Sequence, residues 1–270
     1  LTPVHPVLFH VPVLGLPVYA YGFMLGLGLV IGWNLALLEC RRRGWPLAPL
    51  MRGIPVVIAC ALLGSRWLYL ASHLDQAGTV ADWFRLSAGG IVAYGGFLGG
   101  IAGAALAFGR GGLGFLNMAD LMTPSVALGT VLTRIGCFLN GCDFGVPTTA
   151  PWGVAFPPGS PAWRLHGREL PVHATQLYEA GAALVLFGAV LWVARRARVP
   201  GQVFLFFFTC YGMARAAIEL LRGDPSRGLL LGLPTSQALG LATALLGLLA
   251  WPLLASRGGC PRTQGEPCAG

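Results

Sequence analysis

Apolar runs of roughly twenty residues, long enough to cross a bilayer, recur along this chain at 17–38, 53–71, 89–108, 118–139, 176–194, 202–221 and 236–255. Short segments rich in Gly, Pro and Arg separate them. The pattern predicts an all-α integral membrane protein of seven transmembrane helices. They form a single membrane domain over 1–255, with a disordered cytoplasmic tail over 256–270. The runs at 17–38, 89–108 and 236–255 carry no charge. The other four hold Arg66, then Asp120 with Arg134, then Glu179, then Arg215 with Glu219. Residues 1–16 are broken by Pro3, Pro6 and Pro12 and lack the basic start of a cleaved signal peptide. They read as an interfacial segment.

Charge in the connections sets the orientation. Arg41, Arg42, Arg43, Arg52, Arg110, Arg195, Arg196, Arg198, Arg257 and Arg262 fall on one side of the predicted bundle. The other side holds the smaller set Arg85, Arg164, Arg168, Arg222 and Arg227, spread over longer loops. The richer side is expected to be cytoplasmic, which places the N-terminus outside and the C-terminus inside. Arg134, Glu179, Arg215 and Glu219 then lie near the outer ends of their spans. The connection 140–175, about 36 residues, is also external. It exceeds the usual length of a structureless loop. It reads either as a functional lid or as an interfacial loop anchored by Trp152 and Trp163.

Composition agrees with a membrane protein and excludes other classes. Of the 270 residues 55% are apolar and 10% charged, with mean hydropathy +0.69, whereas soluble domains carry about 25% charged residues. The net charge of +8 comes from arginine, since the chain has no lysine. Topology explains those arginines, and no basic helix or zinc-finger spacing points to nucleic acid. The 7 cysteines form no disulfide framework. Cys60 and Cys210 lie within spans, and Cys260 and Cys268 lie in the tail. Cys137 and Cys142 sit at the outer end of the fourth span, as free thiols or as a disulfide if a turn brings them together.

Arg134 and Arg215 carry the chemistry. A guanidinium stays charged at any relevant pH, and placing one in hydrocarbon costs on the order of 2.5–3.5 kcal/mol or more. Such residues meet an anion, either internally (Asp120 or Glu219) or as a bound phosphate or carboxylate. Tyr211, Arg215, Glu219 and Arg222 share one face of the sixth span by helical spacing. Their stripe suits a phospholipid headgroup, because the arginine fork matches phosphate oxygens. The fourth span ends in Arg134, Asn140, Asp143 and Gly145, and the fifth is led in by His173, Gln176, Tyr178 and Glu179. Tyr94, Gly95 and Gly96 open a glycine stripe in the third span. It serves close helix packing, ligand approach, or both.

These blocks resemble the signatures of the prolipoprotein diacylglyceryl transferases. Arg134 to Gly145 is similar to that family's Arg-hydrophobe-Gly-Asn-Phe-hydrophobe-Asn-Gly-Glu-x-x-Gly. His173 to Glu179 is similar to its His-Pro-Ser-Gln-Leu-Tyr-Glu, and Tyr211 to Arg222 to its Tyr-x-x-x-Arg-x-x-x-Glu-x-x-Arg. Tyr21-Gly22 matches a Tyr-Gly in the first span, and Asp120 an acidic position in the fourth. The similarity runs from about Val4 to Ala255.

The resemblance implies transfer of the diacylglyceryl group of phosphatidylglycerol to the lipobox cysteine of a prolipoprotein at the outer face of a bacterial cytoplasmic membrane. Glycerol phosphate is released, and no metal or organic cofactor is needed. It implies that Arg134 and Arg215 hold the phosphate as it leaves. Tyr94, Glu179 and Glu219 join them as candidate catalytic residues. Tyr21, Asn140, Asp143, Gly145, His173, Tyr211, Arg222, Gly95 and Gly96 are candidate substrate contacts.

Three positions depart from the pattern. Tyr94 stands where the family has a histidine, Cys137 where it has its first asparagine, and Cys142 where it has glutamate, with Asp143 displaced by one. A tyrosine with pKa near 10 is a poor base. The thiol's base is therefore His173, Glu179, Asp143, or no dedicated group, since cysteine attacks well when only a few per cent ionised. Two other readings are a divergent paralogue with a different acceptor and a non-catalytic phospholipid-binding or transport protein.

Overall fold

The computed structural model describes residues 6–12, 15–72, 74, 78–85, 93–109, 114–167, 169–223, 229–230 and 232–256. Among these, helices dominate: α1 Ala20–Arg42, α2 Leu47–Ser72, α3 Ala93–Phe108, α4 Phe115–Asn140, α5 Pro161–His166, α6 Thr175–Ala194, α7 Gln202–Glu219 and α8 Thr235–Ala255. The strands form short antiparallel pairs: β1 Val7–His10 with β2 Pro17–Tyr19, β3 Val154–Ala155 with β4 Pro171–Val172, and β5 Leu229–Leu230 with β6 Leu233–Pro234.

Five helices (α1, α2, α4, α6 and α8) are long and apolar enough to cross a membrane. The chain is thus a mostly helical, multi-pass type of protein. Two of the seven expected spans are weaker in the structure. α3 is a shorter apolar helix, and residues 89–92 of that expected span lie outside the described residues. α7 has 18 residues and carries Gln202, Arg215 and Glu219, which dilute its apolar character. The tail 257–270, expected to be disordered, lies outside the described residues as well.

The chain divides into two compact units. The first comprises Leu1–Ala36 with Met122–Gly259. Within it α1 and α4 meet through small residues: Gly28 lies against Gly129, Gly32 against Ser125, and Gly136 against Tyr21 and Met24. Small side chains let helix backbones approach, and Ser125 Oγ donates to the Gly32 carbonyl at 2.7 Å. Ala127 of α4, Val190 of α6, and Val203 and Phe207 of α7 form one apolar cluster. Val131 of α4 packs with Ala180 and Ala183 of α6. These clusters fix α4, α6 and α7 against one another, and those three helices carry the charged residues.

Residues 140–175 have a core of their own, built from Phe144, Phe156, Ala162 and Val172 with Phe138 and Val154 against it. The β3–β4 pair closes this segment. α5 starts at Ser160, whose side chain accepts from the Trp163 N–H, and stops at Gly167 with φ 66°. Trp152 remains 64% exposed at its turn.

The second unit comprises Leu37–Leu121 with Cys260–Gly270. Here α2 and α3 pack backbone against backbone. A side chain at Gly95 or Gly99 would run into carbonyls of Gly64 and Cys60, and one at Gly96 would stand 2.5 Å from Ser65 Oγ. The glycine stripe of α3 therefore serves helix packing. Arg66 Nε donates to the Asp82 carbonyl at 3.0 Å.

Candidate functional site

The C-terminus of α4 sets the geometry. Gly141 N–H donates to Phe138 at 3.1 Å and Cys142 N–H to Cys137 at 3.2 Å, with Gly141 at φ 73°. This is the paired bonding of a Schellman stop, in which a glycine takes the left-handed position and satisfies the last carbonyls. Asp143 follows at φ 61°, the one non-glycine residue with positive φ among the described residues. Aspartate tolerates that region better than most side chains do.

The chain then folds back and is stitched on two sides. Gln176 Nε2 donates to the Cys142 carbonyl at 2.6 Å, and Thr175 Oγ1 to the Asp143 carbonyl at 2.7 Å. Gly145 N–H donates to His173 at 2.8 Å and Val146 N–H to Leu221 at 2.8 Å, while His173 N–H returns a bond to Val146 at 3.0 Å. Gly145 has no room for a side chain. A Cβ there would stand 2.6 Å from His173 Cβ and 2.7 Å from the carbonyls of His173 and Leu221.

This stitching assembles a closed ring of alternating charges. Arg134 Nε lies 2.6 Å from Glu179 Oε2, and Glu179 Oε1 lies 3.5 Å from Arg215 Nη1. Arg215 pairs with Glu219, whose Oε2 is also 3.8 Å from Arg222 Nη1. Arg222 pairs with Asp143, and Asp143 Oδ2 closes the circle to Arg134 Nη1 at 3.0 Å. Every arginine touches two carboxylates, and every carboxylate touches two arginines. Three positive and three negative charges cancel, which is how charges survive burial.

Glu179, Glu219, Arg215 and Arg222 are almost dry, with side-chain exposures of 3%, 0%, 8% and 6%. Arg134 and Asp143 form the open edge at 16% and 26%. The helix ends assist, because Glu179 lies near the N-terminus of α6 and Arg215 near the C-terminus of α7, each matching the helix dipole.

The other predicted residues of the first unit fall around this ring. Tyr21 lies near Arg134, Asp143, Cys137 and Cys142. Tyr211, stacked on Phe207 at 5.5 Å, interacts with Arg134. Asn140 is the last residue of α4 and lies beside the Cys142 thiol. His173 Nδ1 is 3.0 Å from the Tyr178 hydroxyl. Gly95 and Gly96 lie in α3 of the second unit, and the side chain of Tyr94 is outside the described residues. Arg215 does pair with Glu219, while Arg134 takes Glu179 and Asp143 as its anions.

Thr175 and Gln176 were not among the residues singled out as contacts, although they fix the loop that carries Asp143. The signal available in the sequence was a polar Thr-Gln step at the head of an otherwise apolar run.

Cys137, Cys142 and Asp143 are the described residues whose donor atoms could gather a metal ion, all within 4.8 Å of one another. Both Asp143 oxygens already face guanidinium groups, so a cation there would compete with two arginines. The Cys142 thiol is held below its ordinary pKa by its hydrogen bond with Cys137, with Asn140 adding to the effect against the opposing influence of burial.

Comparison with known proteins is consistent over nearly the whole chain. The prolipoprotein diacylglyceryl transferase family model matches residues 6–253. A phosphatidylglycerol–prolipoprotein diacylglyceryl transferase of Clostridium tetani is 34% identical over 248 residues, 91% of this chain and 96% of its own length. One of Solidesulfovibrio magneticus is 36% identical over 250 residues, 88% of this chain and 89% of its own. Clostridium perfringens has a relative named as transferase 2 that is 31% identical over 240 residues, 88% and 92% of the two chains.

Proposed function

The chain belongs to the prolipoprotein diacylglyceryl transferase family, and we propose that it transfers the diacylglyceryl group of phosphatidylglycerol to the lipobox cysteine of a prolipoprotein. The cysteine sulfur forms a bond to the glyceryl carbon while that carbon's bond to the phosphate oxygen breaks. The products are a thioether on the precursor and glycerol phosphate. The thiol proton leaves with solvent or with the departing phosphate.

The observation that carries this reading is the ring. One carboxylate, Glu179, holds the guanidinium groups of Arg134 and Arg215 at the same place. Charge builds on the leaving phosphate as the carbon–oxygen bond breaks. Two guanidinium groups fixed beforehand stabilise that charge without reorganising. The neutral ring admits an anion at its open edge, where Arg134 is most exposed. The lipid phosphate takes the Arg134 contacts that Asp143 otherwise fills, and Glu179 and Glu219 keep Arg215 aimed. Tyr21, Tyr211 and Asn140 border the same edge, placed to hydrogen-bond the headgroup.

Tyr94, Gly95 and Gly96 remain proposed contacts on the strength of the family pattern. His173 is engaged with Tyr178 and the carboxylates with arginines. The acceptor thiol then attacks from its own small thiolate fraction, which suffices for a nucleophile of this strength.

The proposal extends to topology. Seven spans, an external N-terminus and a cytoplasmic C-terminus place the ring at the outer face of the bacterial inner membrane, where secreted precursors pass. The test is purified protein with phosphatidylglycerol and a lipobox peptide carrying cysteine or serine. A diacylglyceryl mass gain on the cysteine peptide alone, with equimolar glycerol phosphate, is expected. Lipid left intact in the presence of the cysteine peptide would overturn the assignment.

A further inference from the structure

We propose that Cys137 and Cys142 form a reversible thiol–disulfide modification site that disables the charge ring when oxidised, an inference that rests on the outward orientation and lipid site proposed above. The motif that ends α4 builds the pair. In a Schellman stop the residue donating the outer bond and the residue accepting it bring their side chains together, and here those residues are Cys142 and Cys137. Their sulfurs lie within 4.8 Å of each other, both are free, and the Cys142 thiol donates to the Cys137 carbonyl at 3.7 Å. A disulfide needs sulfurs about 2.05 Å apart, a closure that side-chain rotation and a small backbone shift supply.

The two thiols have different roles. Cys142 is partly exposed at the open edge and Cys137 is 4% exposed beneath it. The Cys142 thiolate attacks an oxidised low-molecular-weight disulfide or the disulfide of an oxidising protein. It forms a mixed disulfide and expels one thiolate. Cys137 then gives up its proton and attacks the Cys142 sulfur, expelling the second thiol. The two cysteines lose two electrons and two protons, and the reagent disulfide gains them.

Closure reaches the ring through one peptide. Asp143 follows Cys142 directly at φ 61°, and its carboxylate bridges Arg134 and Arg222. The Cys142 and Asp143 carbonyls are held by Gln176 Nε2 at 2.6 Å and Thr175 Oγ1 at 2.7 Å. Drawing Cys142 toward α4 turns that peptide and so breaks the stitching that ties the stop of α4 to the head of α6 and its Glu179.

The experiment uses the full chain in detergent, oxidised with glutathione disulfide, freed of oxidant, then assayed with phosphatidylglycerol and a lipobox peptide. The expected results are a 137–142 crosslink on peptide mapping and a transfer rate lowered by about tenfold, within the usual range for coupled sites. Dithiothreitol is expected to restore the rate. C142S should keep its rate through the same treatment, whereas C137S, lacking the resolving thiol, should retain glutathione on Cys142 by mass. Both thiols remaining alkylatable after oxidation would overturn the site. A crosslink with an unchanged rate would overturn its coupling to the ring. A reduced protein that transfers nothing would instead count against the proposed function, while the crosslink is still read independently by mass.

Discussion

Replacing Glu179 by glutamine removes the carboxylate that joins Arg134 to Arg215 while keeping shape and hydrogen-bonding capacity. Glu179 is 3% exposed and makes contacts of 2.6 Å and 3.5 Å to the two guanidinium groups. Its loss leaves a nearly dry ring with one uncompensated positive charge. Deleting one partner of a buried ion pair costs about 3–5 kcal/mol. Arg134 keeps Asp143 and Arg215 keeps Glu219, so the lower end of that range applies. For a chain of this size each kcal/mol moves the melting temperature by about 2–4 °C, which gives a drop of roughly 6–12 °C. Thermal unfolding in detergent, followed by tryptophan fluorescence, reads this directly. Adding Arg134→Gln in the same background should cost less than the sum of the single changes, because neighbouring partners do not add independently. A Glu179→Gln protein melting within about 2 °C of the parent, or strict additivity in the double variant, would refute the ring as a structural unit.

Asp143→Asn tests the open edge. Its side chain is 26% exposed, so the loss of stability should be smaller than for Glu179→Gln, while affinity for short-chain phosphatidylglycerol rises as a competing anion disappears; calorimetric titration measures both signs. Gly145→Ala should lower transfer activity sharply, because its Cβ meets the carbonyls of His173 and Leu221 at 2.7 Å and no side-chain movement relieves a backbone clash. Alkylation of Cys142 gives a pH readout. A lowered pKa means the thiolate persists to lower pH, so its reaction rate with a maleimide should reach half its plateau below the ordinary thiol value near 9. A midpoint above that value would contradict the hydrogen-bonded pair.

How much of this was visible in the chain itself depends on range. The Arg215–Glu219 pair follows from four-residue helical spacing and was legible, as were the helical membrane character and the blocks that carry the site. The links from Arg134 to Glu179 and from Arg222 to Asp143 are not local. They exist because α4, α6 and α7 are packed by Ala127, Val131, Ala183 and Phe207, and no spacing rule reports which helix faces which. Asp143 was noted as displaced by one from the family's acidic position. What returns its carboxylate to the arginines is a left-handed backbone after Gly141, a conformation that sequence only hints at. The glycine stripe of α3 left packing and ligand approach open, and in the second unit Gly64, Cys60 and Ser65 fill its face. The helix carrying Arg215 and Glu219 is not among those long and apolar enough to cross a membrane, and the residues that dilute it are two members of the charge ring.

The most direct test of the account is the position of the lipid phosphate in an experimentally determined structure of the protein with phosphatidylglycerol. The phosphate is expected within hydrogen-bonding distance of both Arg134 and Arg215, with the Asp143 carboxylate turned away from Arg134. A phosphate seated elsewhere, with Arg134 still closed onto Asp143 and Glu179, would contradict it.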